Sequence, residues 1–487
     1  MPFLQTYSNN PEEAEMGQRG LEHQEPWTGW KGPTHAALFA IGAGLASLLL
    51  IGCLGDDDSP ADAGLGSPTA DAAEEPDALP TRPESERVDT EEPSFSNPTD
   101  VTNPLFPISD LHSVVLLGNV DGHLLRVETT FLPGTKIIDL DGTEVETLES
   151  QYVAFLDGRI EEVALDWYAQ ADDGAVWYLG EDVFNYEDGA VADTEGTWLA
   201  GRDGPAAMIM PADPQAGDVY RPENIPDIVF EEVTVMSIGD TVDGPQGSVE
   251  GAIVAEELHM DGSYEEKIFA PGYGEFSSGI GGDLEALAIA VPTDALSEPT
   301  PAELETLFSG AIAIFEAALA DDTESVSATL DEMEAAWADF RDAGDVPELL
   351  AVQMDHALAA LRGDAIFPAA EANNASGAAK AAIDVAMATL DLQLRHRLPA
   401  EIDLARFDLW TRQVIIDATG DEPSHIAGDV TVLEWIWDRF AHTVDDAAAA
   451  DIEAHLEELR TAADDEDVEA AAEAAAGLRE TLAELEE

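Results

Sequence analysis

Two hydrophobic rhythms divide this chain. Between residues 103 and 296, apolar and polar positions alternate in short runs. Examples are Leu124-Leu125-Arg126-Val127-Glu128-Thr129-Thr130-Phe131, Gln151-Tyr152-Val153-Ala154-Phe155-Leu156 and Glu162-Val163-Ala164-Leu165-Asp166-Trp167-Tyr168. A period of two sends successive side chains to opposite faces of a strand. The runs are broken by Asp-Gly pairs that begin at Asp121, Asp141, Asp157, Asp173, Asp188 and Asp261. Such pairs tolerate the positive φ of a tight hairpin turn. Their recurrence predicts a meander of antiparallel strands, as a sandwich, a barrel or a half-barrel.

From Pro301 onward the period lengthens and Ala becomes common. The spacing predicts helices near 301–320, 324–343, 346–362, 376–397, 401–418, 427–443, 447–462 and 465–484. Thr300-Pro301-Ala302-Glu303 and Val346-Pro347-Glu348 are helix openings, with Pro at the first turn and Glu close behind. The short connections predict antiparallel neighbours and hence a helical bundle over 300–487. Its last helix is almost purely acidic and Ala-rich and is expected to pack weakly.

The first hundred residues follow neither rhythm. Ala36 to Gly52 is one apolar run, long enough for the core of a signal peptide and short for a spanning helix. Residues 54–102 are rich in Asp, Glu, Pro, Ser and Ala without apolar periodicity, the signature of an extended, flexible linker. The expected organisation is a leader (1–52), an acidic linker (53–102), an antiparallel all-β domain (103–296) and an α-helical bundle (300–487). The fold class is thus a multidomain α and β protein, sheet first and helices second.

Composition narrows the function. The 487 residues carry 102 acidic and 20 basic side chains, a formal net charge of −82, yet 45% are hydrophobic. That apolar share excludes wholesale disorder. A nucleic-acid partner is excluded by the lack of clustered Lys and Arg. Only Lys31, Lys136, Lys267 and Lys380 are lysines. Scarce Lys beside acid spread along the whole chain points to a salt-adapted protein. At molar salt the Debye length is about 3 Å, and like surface charges barely repel. A calcium-buffering or mucin-like acidic protein is the competing explanation.

Cys53 is the single cysteine, so no intramolecular disulfide supports the fold. It closes the sequence Leu50-Ile51-Gly52-Cys53 at the end of the apolar run. This resembles a bacterial lipobox. The resemblance implies cleavage after Gly52, a diacylglycerol on Cys53, and a membrane partner reached through that lipid. It places the rest of the chain outside the cytoplasm, in the cell envelope. The leader departs from the pattern in its length and in Glu12, Glu13, Glu15, Glu22 and Glu25, although Arg19 and Lys31 add positive charge and Met16 offers a later start. A single transmembrane anchor with a buried Cys is the alternative.

The densest signature lies in the β region. Asp166-Trp167-Tyr168-Ala169-Gln170 and Val176-Trp177-Tyr178-Leu179-Gly180-Glu181 follow an opening Asn103-Pro104-Leu105-Phe106-Pro107. Gly217-Asp218-Val219-Tyr220-Arg221-Pro222-Glu223 and Phe269-Ala270-Pro271-Gly272-Tyr273-Gly274 come later. Together these resemble a recurring, uncharacterised domain of secreted bacterial proteins over residues 103–296. The resemblance implies a shared fold unit and no known activity. Read physically, Trp167, Tyr168, Trp177 and Tyr178 form cross-strand aromatic pairs of the core. The functional alternative is an aromatic cleft for a sugar, lipid or flat ligand, with Asp166, Glu181, Arg202 and Asp203 at its rim.

Other chemistry is thinner. Ile137-Ile138-Asp139-Leu140-Asp141-Gly142-Thr143 matches the nucleophile motif of haloacid-dehalogenase-type phosphatases, but strand-like alternation follows it, and an Asp-Gly turn explains the same letters. The ten His residues include no metal-binding pair at helical spacing. Asp384, Asp391 and Asp408, with Arg395, Arg397, Arg406 and Arg412, are expected to form buried ion pairs; a carboxylate–His site between helices is the sharper alternative. Trp410, Trp435 and Phe440 mark the bundle core. No catalytic triad, phosphate-binding loop, Cys nucleophile or cofactor motif is present. The expected function is therefore a lipid-anchored binding or structural module with an envelope protein or glycan as partner. An envelope hydrolase with a carboxylate-based site in the β domain, or a solute-binding or sensing bundle, are the alternatives.

Overall fold

A computed structural model describes residues 79–485 except 321, 345 and 367–373. Cys53, the apolar leader and most of the linker lie outside the described residues.

Antiparallel strands come first. Two meanders are joined at their outer partners: β1 (Ser113–Val120), β2 (His123–Leu140), β3 (Thr143–Leu156), β4 (Arg159–Gln170), β5 (Val176–Glu187) and β6 (Ala190–Asp193) form one. Short β7 (Trp198–Leu199) and β8 (Ala207–Met210) follow. The other contains β9 (Val219–Ile225), β10 (Val229–Gly244), β11 (Gly247–His259), β12 (Tyr264–Ala270), β13 (Gly274–Ile280) and β14 (Asp283–Val291). The β1–β14 ladder joins them into one 14-stranded sheet, with β6 and β9 at the two ends of its main path. Pro222 sits in end strand β9, where a missing ladder N–H is tolerated.

The hairpin turns form where the Asp-Gly pairs stand. Asp121, Asp141, Asp157 and Asp188 and the glycines after them all have positive φ, which matches the right-handed twist of the strands they join. Asp139-Leu140-Asp141-Gly142 is one of these turns, with β2 ending and β3 beginning around it. A strand follows it rather than the helix that the phosphatase motif requires.

The sheet curls without closing. β8 pairs with β5 on one arm, and the chain then runs directly into β9 at the far end of the other. This brings Glu181 of β5 against Glu223 of β9. The inner face encloses an apolar layer that includes Val127, Tyr152, Ala154, Phe276 and Leu287. The segment before β1 covers one mouth of this interior. Phe106 packs edge-on against Tyr168 at 5.1 Å. Asn103 Nδ2 donates to the Pro211 carbonyl at 2.9 Å, and Gln170 Oε1 accepts from the backbone of Thr102 and Asn103. Further upstream, Val88 N–H donates to the Val219 carbonyl. The part of the expected linker from Leu79 on thus makes defined contacts with the sheet.

Among the described residues, eight helices follow: α1 (Ala302–Leu319), α2 (Thr323–Ala343), α3 (Glu348–Ile366), α4 (Asn374–Gln393), α5 (Pro399–Gly420), α6 (Pro423–Phe440), α7 (Asp446–Asp464) and α8 (Val468–Leu485). They pack on the outer sheet face. Val115 and Ile289 join the core of α1–α5, while Val153, Phe155 and Val163 join that of α5–α8. Trp410 stacks on Phe155 at 5.5 Å, and Phe440 is buried as expected. Helix α8 departs from expectation. Ala471, Ala475, Leu478 and Leu482 are buried, because its small residues allow close approach. A Cβ on Gly477 would lie 2.9 Å from the His455 ring.

Candidate functional site in the sheet interior

Alternation places a set of charged residues on the same inward face as the apolar layer. Ser150 pairs with Asp166, and Asp166 with Glu181. On the other arm Glu223 pairs with Glu231, Glu231 with His259, Glu257 with Glu265, and Ala255 with Lys267. Residues two apart share a face, so Glu257 and His259, or Glu265 and Lys267, point inward together. All of these are buried.

At the first arm, Asp166 accepts from Tyr178 Oη at 2.7 Å and Ser150 Oγ at 3.0 Å. Burial pushes its carboxyl up to about 7 despite these donors. Glu162, next along the same face, is pushed to about 8, first by burial and then by Asp166. Across the interior, Glu181 and Glu223 are each 0% exposed; no other group hydrogen-bonds either carboxyl, and the two lie within hydrogen-bond reach of each other. The two groups face each other. Burial, and then the neighbouring carboxyl (Glu223 for Glu181, Glu231 for Glu223), raises both far above the usual carboxylate range.

At the second arm the charges are partly matched. Lys267 Nζ is 2.5 Å from Glu257 Oε2 and 3.9 Å from Glu265 Oε2. Burial would raise Glu257, but Lys267 and His259 hold it below its ordinary value. His259 presents Nδ1 to Glu231 Oε1 and Nε2 to Glu265 Oε2, each at 3.5 Å. Burial works against its charged form, but these carboxylates outweigh burial and raise it to about 10. Glu231 is pushed to about 7, first by burial and then by Glu257. A cavity of about 80 Å³ opens beside Asp166, lined also by Tyr152, Tyr168, Glu275 and Glu285 under the Phe106 plug. That is room for several water molecules or a small solute.

The residues singled out from the sequence divide between the two faces. Asp166, Tyr168, Tyr178 and Glu181 come together inside; Tyr168 and Tyr178 stack at 4.9 Å. Trp167 turns to the outer face, where Nε1 donates to Glu149 at 2.6 Å and Lys136 Nζ lies 3.0 Å above its ring. Arg202 and Asp203 pair with each other at the surface. Trp167 and Trp177 are 1% and 4% exposed and so present no open aromatic face. The inner residues of the second arm were missed. Their signal was in phase: Glu257 follows Ile253 and Ala255 at spacing two. In a chain this acidic, an inward Glu looks like every outward one.

A second acidic network lies between sheet and bundle. Glu128 accepts from Arg439 at 2.6 Å and Arg126 at 2.7 Å. Asp391 accepts from Arg126 at 2.5 Å and Arg406 at 2.8 Å. Burial would raise Glu128, but Arg406, Arg126 and Arg439 hold it far below the usual range. The expected ion pairs of Asp391 and Asp408 are present, to Arg406 and Arg412. A third grouping, Asp417, Glu422 and His425, sits where α5 meets α6 and already holds the Arg159 guanidinium through Asp417 at 2.7 Å.

No protein-family model and no curated protein matches the chain.

Proposed function

We propose that this protein is a lipid-anchored envelope protein of a salt-adapted organism, and that its β domain binds a small, positively charged solute. The leader and Cys53 support the anchoring half of this reading. The binding half is carried by the Glu181–Glu223 pair: two fully buried carboxyls, face to face, that no arginine, lysine or histidine hydrogen-bonds. Desolvated like charges are costly unless they take up protons or a cationic ligand. The helices buttress the sheet through arginines that are already neutralised.

Mass spectrometry of membrane-extracted protein tests the anchor: the mature chain begins at a diacylglyceryl Cys53. A leader left intact on an unacylated thiol overturns it. A thermal-shift screen with polyamines, amino-sugar amines and divalent ions in high salt tests the binding. The expected result is a Tm rise with at least one cation that E223Q abolishes; no rise with any of them overturns it.

The second reading is a carboxylate hydrolase of the envelope. Asp166 near 7 beside the cavity has the protonation of a general acid, with Glu181 opposite it in register. Hydrolysis of envelope glycans that disappears in D166N would favour it.

A further inference from the structure

We propose that the second arm of the interior is a site for one first-row divalent metal ion, held by Glu231, Glu257 and His259 and completed by Glu223. This rests on the reading of the interior as a cation site and names the cation. One ligand atom from each of Glu231, Glu257 and His259 lies within 4.8 Å of the others, and all three residues are buried. The His259 Nδ1 to Glu231 Oε1 separation of 3.5 Å is too long for a good hydrogen bond. It is close to the edge of a tetrahedron of ligands around an ion with bonds of about 2.0–2.1 Å, an edge of roughly 3.4 Å.

Glu223 is the independent sign of a missing partner. It stands beside Glu231 in the ladder, is wholly buried, and meets no donor except the carboxyl of Glu181, itself an acid. It feels Glu231 and Glu257 directly. Tyr220 Oη, also buried without a partner, belongs to the same neighbourhood. One imidazole with carboxylate oxygens suits Zn²⁺ or Mn²⁺ and does not suit Ca²⁺, which takes oxygen ligands alone.

Lys267 is the resident cation of this site in its metal-free form. Its ammonium holds Glu257 and lies near Glu265. A metal must displace it, and the flexible four-carbon stem allows it to turn to Glu265 and Glu275, whose charges it already feels. Lys267 then acts as a gate on affinity, and K267M separates a metal site from a structural ion-pair cluster.

The test is equilibrium dialysis of the chelator-treated full chain in high salt against Zn²⁺ and Mn²⁺, with Ca²⁺ and spermidine as separate arms. The expected result is one Zn²⁺ or Mn²⁺ per chain, tighter binding in K267M, and affinity at least about tenfold weaker in H259Q, the loss that even an outer-shell partner's removal brings. Circular dichroism checks each variant's fold, and E223Q replaces H259Q if that variant does not fold. Absence of stoichiometric metal binding in both the wild type and K267M overturns the inference, as does wild-type affinity in a folded H259Q or, in its place, E223Q. Spermidine binding without metal binding leaves the cation-site reading standing and removes this one; binding of neither metal ion nor spermidine removes both.

Discussion

The two buried acidic regions of this protein have the same raw material and opposite outcomes. Between sheet and bundle, Glu128 and Asp391 are surrounded by Arg126, Arg406 and Arg439, and Glu128 is held ionised. Inside the sheet, no arginine or lysine hydrogen-bonds Glu181 or Glu223, and burial with neighbouring carboxyls raises both well above the usual carboxylate range. A compensated buried charge fixes geometry between two layers. An uncompensated one keeps a standing demand for a proton or a cation. The difference separates a joint from a site.

The comparison is most severely tested at the joint. R406L leaves Asp391 and Glu128 short of a partner in a dry interface and is expected to cost about 3–5 kcal/mol, read by denaturant unfolding. A cost below about 1 kcal/mol would mean that the network is not holding the layers together.

The interior should answer with the opposite sign. At pH 8, E181Q removes a carboxyl that ionises in the unfolded chain and whose ionised form burial and Glu223 disfavour in the folded one. It is expected to stabilise by about 1 kcal/mol or more, since each unit of raised pKa withholds about 1.4 kcal/mol. The same variant should lose any cation-induced Tm rise, the usual exchange of function for stability. Destabilisation by E181Q at pH 8 would erase the contrast between the two regions.

The pH dependence sharpens it further. Glu162 and Asp166 have folded values raised to about 8 and about 7. Their contribution is fully present below the unfolded carboxylate range near 4 and is lost as pH rises through the folded values. Metal-free protein should therefore lose stability between about pH 4 and pH 8, and E162Q should flatten the upper part of that slope. Glu128 runs the other way: its contribution is present above about pH 4.3 and is lost as pH falls through its depressed folded value. Unfolding free energies measured across pH 3–9 separate the two.

The smallest effect per site is at the surface. Tm is expected to climb from low salt to molar KCl as exposed Asp and Glu are screened, while R406L keeps most of its deficit, because buried pairs are little screened. A salt-independent Tm would count against salt adaptation.

Much of this fold was readable along the chain. Asp121-Gly122 and Asp157-Gly158 announced their hairpins because positive φ is a local requirement that few residue pairs meet. The helices of the bundle were legible because each carries its own apolar periodicity. Part of the inner site was legible as well: Asp166, Tyr178 and Glu181 stood out through their aromatic neighbours. Trp167 misled because it was grouped with its neighbours rather than by phase: alternation between the inward Asp166 and Tyr168 puts its ring on the outer face. Glu223, Glu231 and Glu257 were hidden among 102 acidic residues, and His259 among ten scattered histidines.

Sequence alone therefore determined the elements, the turns between them, and the change from sheet to helices, because these follow from short-range sterics and local periodicity. Tertiary structure alone decided which acids were neutralised. The curl that sets β5 opposite β9, and the docking of α5 and α6 on β2 and β3, join residues tens to hundreds of positions apart. Charge compensation is a property of distance in space, and nothing in the local pattern of a strand records whether an arginine or another carboxyl will be waiting on the far side.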